Sequence, residues 1–179
     1  MAKDVEIRRL SAEEAREYAG ALGEMLADCV QGGASVSFML PFTAADGERF
    51  YRSIVERVAA GERILLAAFE QGRLVGTVQL VPAQPPNQPH RADVAKLLVR
   101  RSARGAGVGR MLMQAIECEA VRLGRTLLVL DTVTGGDAER LYEELGWTKV
   151  GVIPNYALMP DGALAATTVF WKDLGTHPH

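Results

Sequence analysis

The stretch "KLLVRRSARGAGVGRMLMQAIE", Lys96 to Glu117, sets an apolar run against an amphipathic one, with three alternate glycines and four arginines around the break. The run Val94 to Val99 is short, rich in branched residues and interrupted at once, which predicts a buried strand. Beyond the break, Val108, Met111, Leu112, Ala115 and Ile116 recur at the spacing of one helix face. The glycines therefore stand at a helix N-terminus, where backbone N–H groups lack partners, the macrodipole is positive and anions bind. From Arg91 to Arg110 there are six basic residues (Arg91, Lys96, Arg100, Arg101, Arg104, Arg110) against Asp93, inside a chain of formal net charge −2. A tight strand-to-helix connection with solvated arginines would show the same glycines, so spacing alone leaves that reading open.

The rest of the chain limits what the anion can be. At 179 residues, with 48% hydrophobic and 23% charged positions, the sequence fits one globular domain over residues 1–179. The opening "MAKDVEIRRL" is charged, and no apolar run approaches the roughly 18 residues of a membrane span, so a cytoplasmic protein with no membrane partner is expected. Cys29 and Cys118 fall on helical apolar patterns and are expected to be buried free thiols. His90, His177 and His179 lie in Pro-flanked or tail segments without nearby carboxylates, and no metal is expected.

Along the chain, a strand is predicted at Val5 to Leu10, followed by a helix that Ser11 and Glu14 open as a capping box and whose face runs through Cys29. The segment "VQGGASVSFMLPF" breaks it. A second helix, from Thr43 to Ala60, is capped by Thr43 and stopped by Gly61. A hairpin follows, "RILLAAFE" and "RLVGTVQLV" about a "QG" turn, then the Pro-rich loop "PAQPPNQPHR" before the glycine-loop unit. Beyond that unit come the strand "TLLVLD", a helix "GDAERLYEELG", a strand "WTKVGVI", a loop, and a last strand "ALAATTVFWKDL" after the turn "PDG".

Two nucleotide folds fit this layout poorly. A Rossmann site has G-x-G-x-x-G directly after its first strand and an acid about 20 residues on; Asp131 mimics the acid. Yet Gly105, Gly107 and Gly109 give G-x-G-x-G, and the unit follows an antiparallel hairpin. A Walker loop needs G-K-[ST], which is missing here. By contrast, Arg104-x-x-Gly107-x-Gly109 after "LLV" resembles the coenzyme A pyrophosphate loop of the GNAT acyltransferase superfamily, [QR]-x-x-G-x-[GA]. "DAERLYEELGW", Asp137 to Trp147, is similar to a second segment of that superfamily, A-x-x-[LF]-Y-x-x-[LA]-G-[FWY]. More narrowly, "VQGGASVSFM", "AKLLVRRSARGAGVGR", "LLVLDTVTGGDAERLY" and "PDG" with its following strand resemble the tabtoxin-resistance type of acetyltransferase. Gly135 departs from the wider pattern, which commonly has Asn there.

The resemblance implies an α/β (α+β) fold: a central mixed, mostly antiparallel sheet flanked by helices and splayed beside the cofactor strand, with a cofactor core over about residues 92–147. It implies acetyl-CoA as cosubstrate. The amides of Arg104, Gly105, Ala106, Gly107, Val108 and Gly109, with Arg110 beside them, would hold its pyrophosphate, with Arg101 and Arg104 as side-chain candidates. A backbone N–H at Leu98 or Val99 would polarise the thioester carbonyl, Tyr142 would supply the general acid, and the loop Gly32 to Phe38, with Gly33 and Ser35, would face the acceptor. The chemistry sets matching demands: the amine must be neutral to attack, an oxyanion forms, and the thiolate needs a proton. Asp131, at a strand's carboxyl end, is the candidate to receive the amine; a loop cap through "TVTGG" is its structural alternative. For Tyr142, core packing is the alternative, because Ala138, Leu141, Tyr142 and Leu145 form one apolar stripe.

The expected activity is transfer of an acetyl group to a small amino-acid-like amine, of the kind the tabtoxin-resistance enzymes disarm, by a monomer or homodimer. Acetylation of a protein or peptide amine is the alternative, as is an acyl-CoA sensor without turnover. The acidic overall balance and the confinement of basic charge to one loop argue against nucleic acid as a partner.

Overall fold

A computed structural model describes residues 4–175; His177 and His179 lie outside them. Seven strands form one sheet: β1 (Val5–Arg9), β2 (Ile64–Glu70), β3 (Arg73–Pro82), β4 (Arg91–Val99), β5 (Leu127–Val133), β6 (Thr148–Leu158) and β7 (Leu164–Asp173), in the order β1-β2-β3-β4-β5-β7-β6. Among the described residues five α-helices flank it: α1 (Ala12–Glu17), α2 (Ala19–Gln31), α3 (Ala44–Ala59), α4 (Val108–Arg122) and α5 (Asp137–Glu144). Every pairing is antiparallel except that of β4 with β5.

The unbroken apolar run of β2 reflects burial on both faces. Ile64, Leu66 and Ala68 pack toward α4 with Val108, Leu112, Met113 and Ile116. Leu65, Ala67 and Phe69 join the opposite layer, built from Leu22, Met25 and Leu26 of α2 and Ile54 and Val55 of α3. The helices start where side chains can satisfy their first amides: Ser11 with Glu14 and Thr43 with Asp46 each complete a capping box.

α2 and α3 approach closely at facing glycines. A Cβ on Gly23 would lie 2.3 Å from the Glu48 amide nitrogen, and one on Gly47 would lie 2.4 Å from the Gly23 carbonyl oxygen. Backbone cannot swing aside as a side chain can, so the helices would have to separate. Gly23→Ala is accordingly expected to destabilise the fold by about 1–3 kcal/mol, the usual range for overpacking. Denaturant titration checks this, and an unchanged midpoint would contradict it.

Three expectations need correction. The first predicted helix is two, divided at Tyr18. There the ring leans edge-on against Phe69 with centroids 5.2 Å apart, and the hydroxyl accepts a hydrogen bond from Arg8 Nη2 at 3.2 Å. Residue periodicity registers a face but not this break. The loop expected after Ile153 is instead strand: β6 continues to Leu158, with irregular register against β7 between Ile153 and Ala157. Cys118 is exposed, unlike buried Cys29; it sits about half a turn from Ile116 and Ala120, which are buried in the core.

Candidate active site

β4 and β5 pair only through Arg91–Leu127, Ala92–Leu128 and Asp93–Val129, although β4 runs on to Val99 and β5 to Val133. Past Asp93 the two strands part, and the space between them is a cavity of about 730 Å³. A bulge sits in the parted half of β4. Between the pairs Gln79–Ala95 and Thr77–Leu98 the chain advances two residues on β3 and three on β4, and Lys96 takes a left-handed φ of 54°.

The parting leaves backbone polar groups of β4 facing the cavity. The Arg100 amide bonds back to the Val75 carbonyl of β3 at 2.8 Å. Strand residues alternate in direction, so Val99 turns its polar groups the other way. Its carbonyl accepts from Arg104 Nε at 3.3 Å and from the Cys29 thiol at 3.4 Å. Burial, the largest influence on that thiol, pushes its pKa up, so Cys29 stays protonated and packs beneath the cleft.

At one end of the cavity lies the glycine loop. Gly105 and Gly107 both have φ of 79°, in the left-handed region that side-chain-bearing residues rarely adopt. A Cβ on either would meet nothing within 4 Å, so backbone conformation rather than internal crowding calls for glycine, and the loop's outer side is open. Gly107 is the N-cap of α4 and supplies no side-chain cap, leaving the first-turn amides of a 15-residue helix facing outward. Arg104, Gly105, Gly107, Val108, Gly109 and Arg110 all line the cavity. These open amides, at the positive end of a helix and beside two arginines, suit an anionic group the size of a pyrophosphate.

Farther along stand Tyr142 and Asp131. Tyr142 is 6% exposed, its ring packed between Trp147 and Phe170 at centroid distances of 6.1 and 5.8 Å, and it also lines the cavity. Burial, and secondarily the charge of Asp131, pushes its pKa up to about 12, so the hydroxyl keeps its proton. Asp131 is exposed within the cleft and its Oδ2 accepts from the Thr167 hydroxyl at 2.7 Å. It does not cap the following loop: the Gly135 amide donates to Glu139 Oε2 at 3.0 Å.

Residues 34–147 match the family described as the acetyltransferase (GNAT) family. The chain belongs to that family. Solved structures share the fold across nearly their whole length. An N-acetyltransferase from Staphylococcus aureus Mu50 is 20% identical, with 96% of this chain and 99% of that one covered and a TM-score of 0.78. An acetyltransferase-type protein from Salmonella typhimurium, determined with its cofactor acetyl-CoA, is 19% identical over 98% and 96% of the chains, TM-score 0.78. A ribosomal-protein-alanine N-acetyltransferase from Brucella melitensis is 22% identical over 94% and 99%, TM-score 0.77.

In this GNAT acetyltransferase the sequence-derived candidates do not all meet. Leu98, Val99, Arg104, Gly105, Gly107, Val108, Gly109, Arg110, Ser35, Asp131 and Tyr142 line the cleft. Arg101 does not: its backbone N–H and its Nε each donate to Asp28 of α2 at 2.9 Å, which turns the side chain away. Ala106 and Gly33 also lie off the lining, Gly33 turning the chain out of α2 with a φ of 92°. At Gly135 φ is 81°, backbone that Gly and Asn adopt most readily, which accounts for the departure from the commoner Asn.

Lys96 and Thr167 were not among the candidates. Lys96 had a signal, a charge inside an otherwise apolar strand; Thr167, in an alternating strand, had none. Among the described residues no group of three His, Cys, Asp or Glu side chains is arranged to hold a metal ion, and no helix is long and apolar enough to cross a membrane.

Proposed function

We propose that this GNAT acetyltransferase binds acetyl-CoA in the cleft between β4 and β5 and transfers the acetyl group to the amine of a small amino-acid-like molecule, with Tyr142 as general acid. The observation that supports it best is the parting of the two strands, which puts free backbone edge, an uncapped helix N-terminus and the side chains of Tyr142 and Asp131 around one cavity. Acetyl-CoA supplies an acyl group activated as a thioester.

The chain's own residues divide the remaining work. The amides of residues 105–109 and the side chains of Arg104 and Arg110 hold phosphate oxygens; Arg110 also pairs with Glu144 of α5, which fixes its direction. The Val99 N–H, turned from β3 into the cleft, is placed to polarise a carbonyl; one such donor in a dry site contributes about 3–4 kcal/mol. Tyr142 offers its proton where negative charge develops on sulfur. Its pKa lies far above that of a thiol, about 8.5, so it acts chiefly by hydrogen-bonding the developing thiolate rather than by giving the proton away fully. Asp131, fixed by Thr167, orients the incoming ammonium and takes up the proton that the amine must lose before it attacks, passing it on to solvent.

A basic protein tail would call for an extended acidic groove. The acceptor end instead leads into a side pocket of about 130 Å³, lined by Ser35, Ser37, Asp131 and Thr167 together with Tyr156 and Leu158. A compact amine fits that shape, and toxin disarmament of the tabtoxin-resistance kind is one use of such a site. Asp131→Asn keeps the shape but removes the charge, and is expected to raise acceptor KM or lower turnover by about 10-fold or more while leaving acetyl-CoA binding intact. Competition between amino-acid analogues and basic peptides, run on wild type and this variant, tests the reading. Preferential acetylation of peptides, with both kinetic constants unmoved by Asp131→Asn, would refute it.

A further inference from the structure

Lys96 carries a charge that the transfer reaction described above does not use. It stands at the β4 bulge in left-handed backbone, a conformation that a non-glycine residue keeps only when its surroundings hold it there. Lys96 is one of the residues that line the cleft, as are Val36 and Ser37. Nζ donates to the Val36 carbonyl at 3.0 Å and to Ser37 Oγ at 3.3 Å, and lies 5.3 and 5.7 Å from the ring centroids of Phe38 and Phe50. An ammonium has three N–H donors, so one remains without a protein acceptor among the described residues.

Two aromatic rings and two oxygens face the charge, but no counter-ion among the described residues pairs with it. Among the described residues no carboxylate stands within ion-pairing distance of Lys96, and Asp131 acts on it only through space. Burial, reinforced by the nearby Arg63, lowers its pKa, as expected for a half-buried cation short of counter-charge. Such a cation facing a ligand cavity favours an anion there. Ser35 and Ser37 line both the main cavity and the side pocket, as does Asp131, so the cation and the carboxylate stand around the same acceptor space.

We propose that Lys96 is a specificity-determining residue that receives a carboxylate of the acceptor while Asp131 receives its ammonium, so that the acceptor is a free amino acid or a close analogue gripped by both charges. This rests on the small-amine reading above and adds to it a second required group on the substrate. The competing role for Lys96 is purely structural, a latch holding the segment 34–38 over the cleft through Val36 and Ser37.

The two are separated by assaying thiol release from acetyl-CoA with a panel of free L-amino acids and their matched carboxamides, which keep the amine and side chain but lack the negative charge. In the wild type the best acid is expected to exceed its carboxamide by about 10- to 100-fold in kcat/KM, the worth of one charge-assisted hydrogen bond. The carboxamide's amine is the less basic, so that bias works against the expected result. Lys96→Met keeps chain length and is expected to bring acid and carboxamide within about 3-fold of each other, the loss falling on the acid's KM. Acetyl-CoA affinity reports whether the variant is folded. Equal constants for acid and carboxamide in the wild type, or an equal loss for both in Lys96→Met, would overturn the proposal in favour of the latch. If the variant does not fold, the wild-type comparison decides alone. Turnover of peptide amines with neither acid nor carboxamide accepted is a different outcome, which overturns the small-amine reading and this inference with it.

Discussion

Replacing Gly107 with valine is expected to lower acetyl-CoA affinity by about 10²- to 10⁴-fold, the effect of losing two amide contacts to a charged group at about 1.5–3 kcal/mol each. Gly107 holds a φ of 79° at the N-cap of α4, and a β-branched residue there must leave the left-handed region and turn the loop amides with it. The new side chain would also occupy the loop's open face, where the protein itself places no atom within 4 Å of the Cβ. Gly162→Val makes the control. Gly162 has a φ of 93° in the turn between β6 and β7 and is equally uncrowded, so the same strain arises away from the cleft. Calorimetry should show loss of affinity for Gly107→Val alone. Equal affinities in the two variants would remove the glycine loop from the binding site.

Tyr142→Phe is expected to reduce turnover about 10²- to 10⁴-fold, the usual span for a positioned general acid, with acetyl-CoA affinity nearly unchanged. The substitution preserves the ring and its contacts with Trp147 and Phe170, so a loss of rate cannot be assigned to collapse of the core. Its pKa is pushed up to about 12, so an alkaline fall in kcat between pH 7 and 9 belongs to another group. A raised folded-state pKa also contributes stability that is complete below pH 10, the unfolded value, and fades only above it. A loss of tenfold or less, with the chemical step limiting, would leave Tyr142 as a packing residue.

Much of the architecture was legible because burial leaves a pattern. The stripe Val108, Leu112 and Ile116 marked α4, the capping box at Ser11 and the cap at Thr43 marked helix starts, and the apolar runs on either side of Gln71 and Gly72 marked β2 and β3 as a hairpin. What stayed hidden depends on partners distant in sequence. Counting arginines located the basic loop, but only the fold shows that Arg101 is tied to Asp28 while Arg104 and Arg110 line the cleft. The three glycines look alike in sequence and differ in cause. Gly105 and Gly107 need left-handed backbone, whereas a Cβ on Gly109 would make ordinary contacts with Leu141 and Val99 at 3.5 and 3.8 Å. The parting of β4 from β5 has no side-chain signature at all, because hydrogen bonds that are not made leave the alternation of residues untouched.

The reaction proposed for this parted cleft is delivery of an acetyl group to an amine. Its most direct test is a single measurement: thiol released from acetyl-CoA, quantified against N-acetylated product in the same reaction, over a panel of free amino acids, polyamines, aminoglycosides and peptides. One thiol per acetylated amine is expected, with the best acceptor among the amino-acid-like compounds. Acetyl-CoA that binds without any amine-dependent thiol release across the panel, or thiol release with no acetylated product, would contradict it.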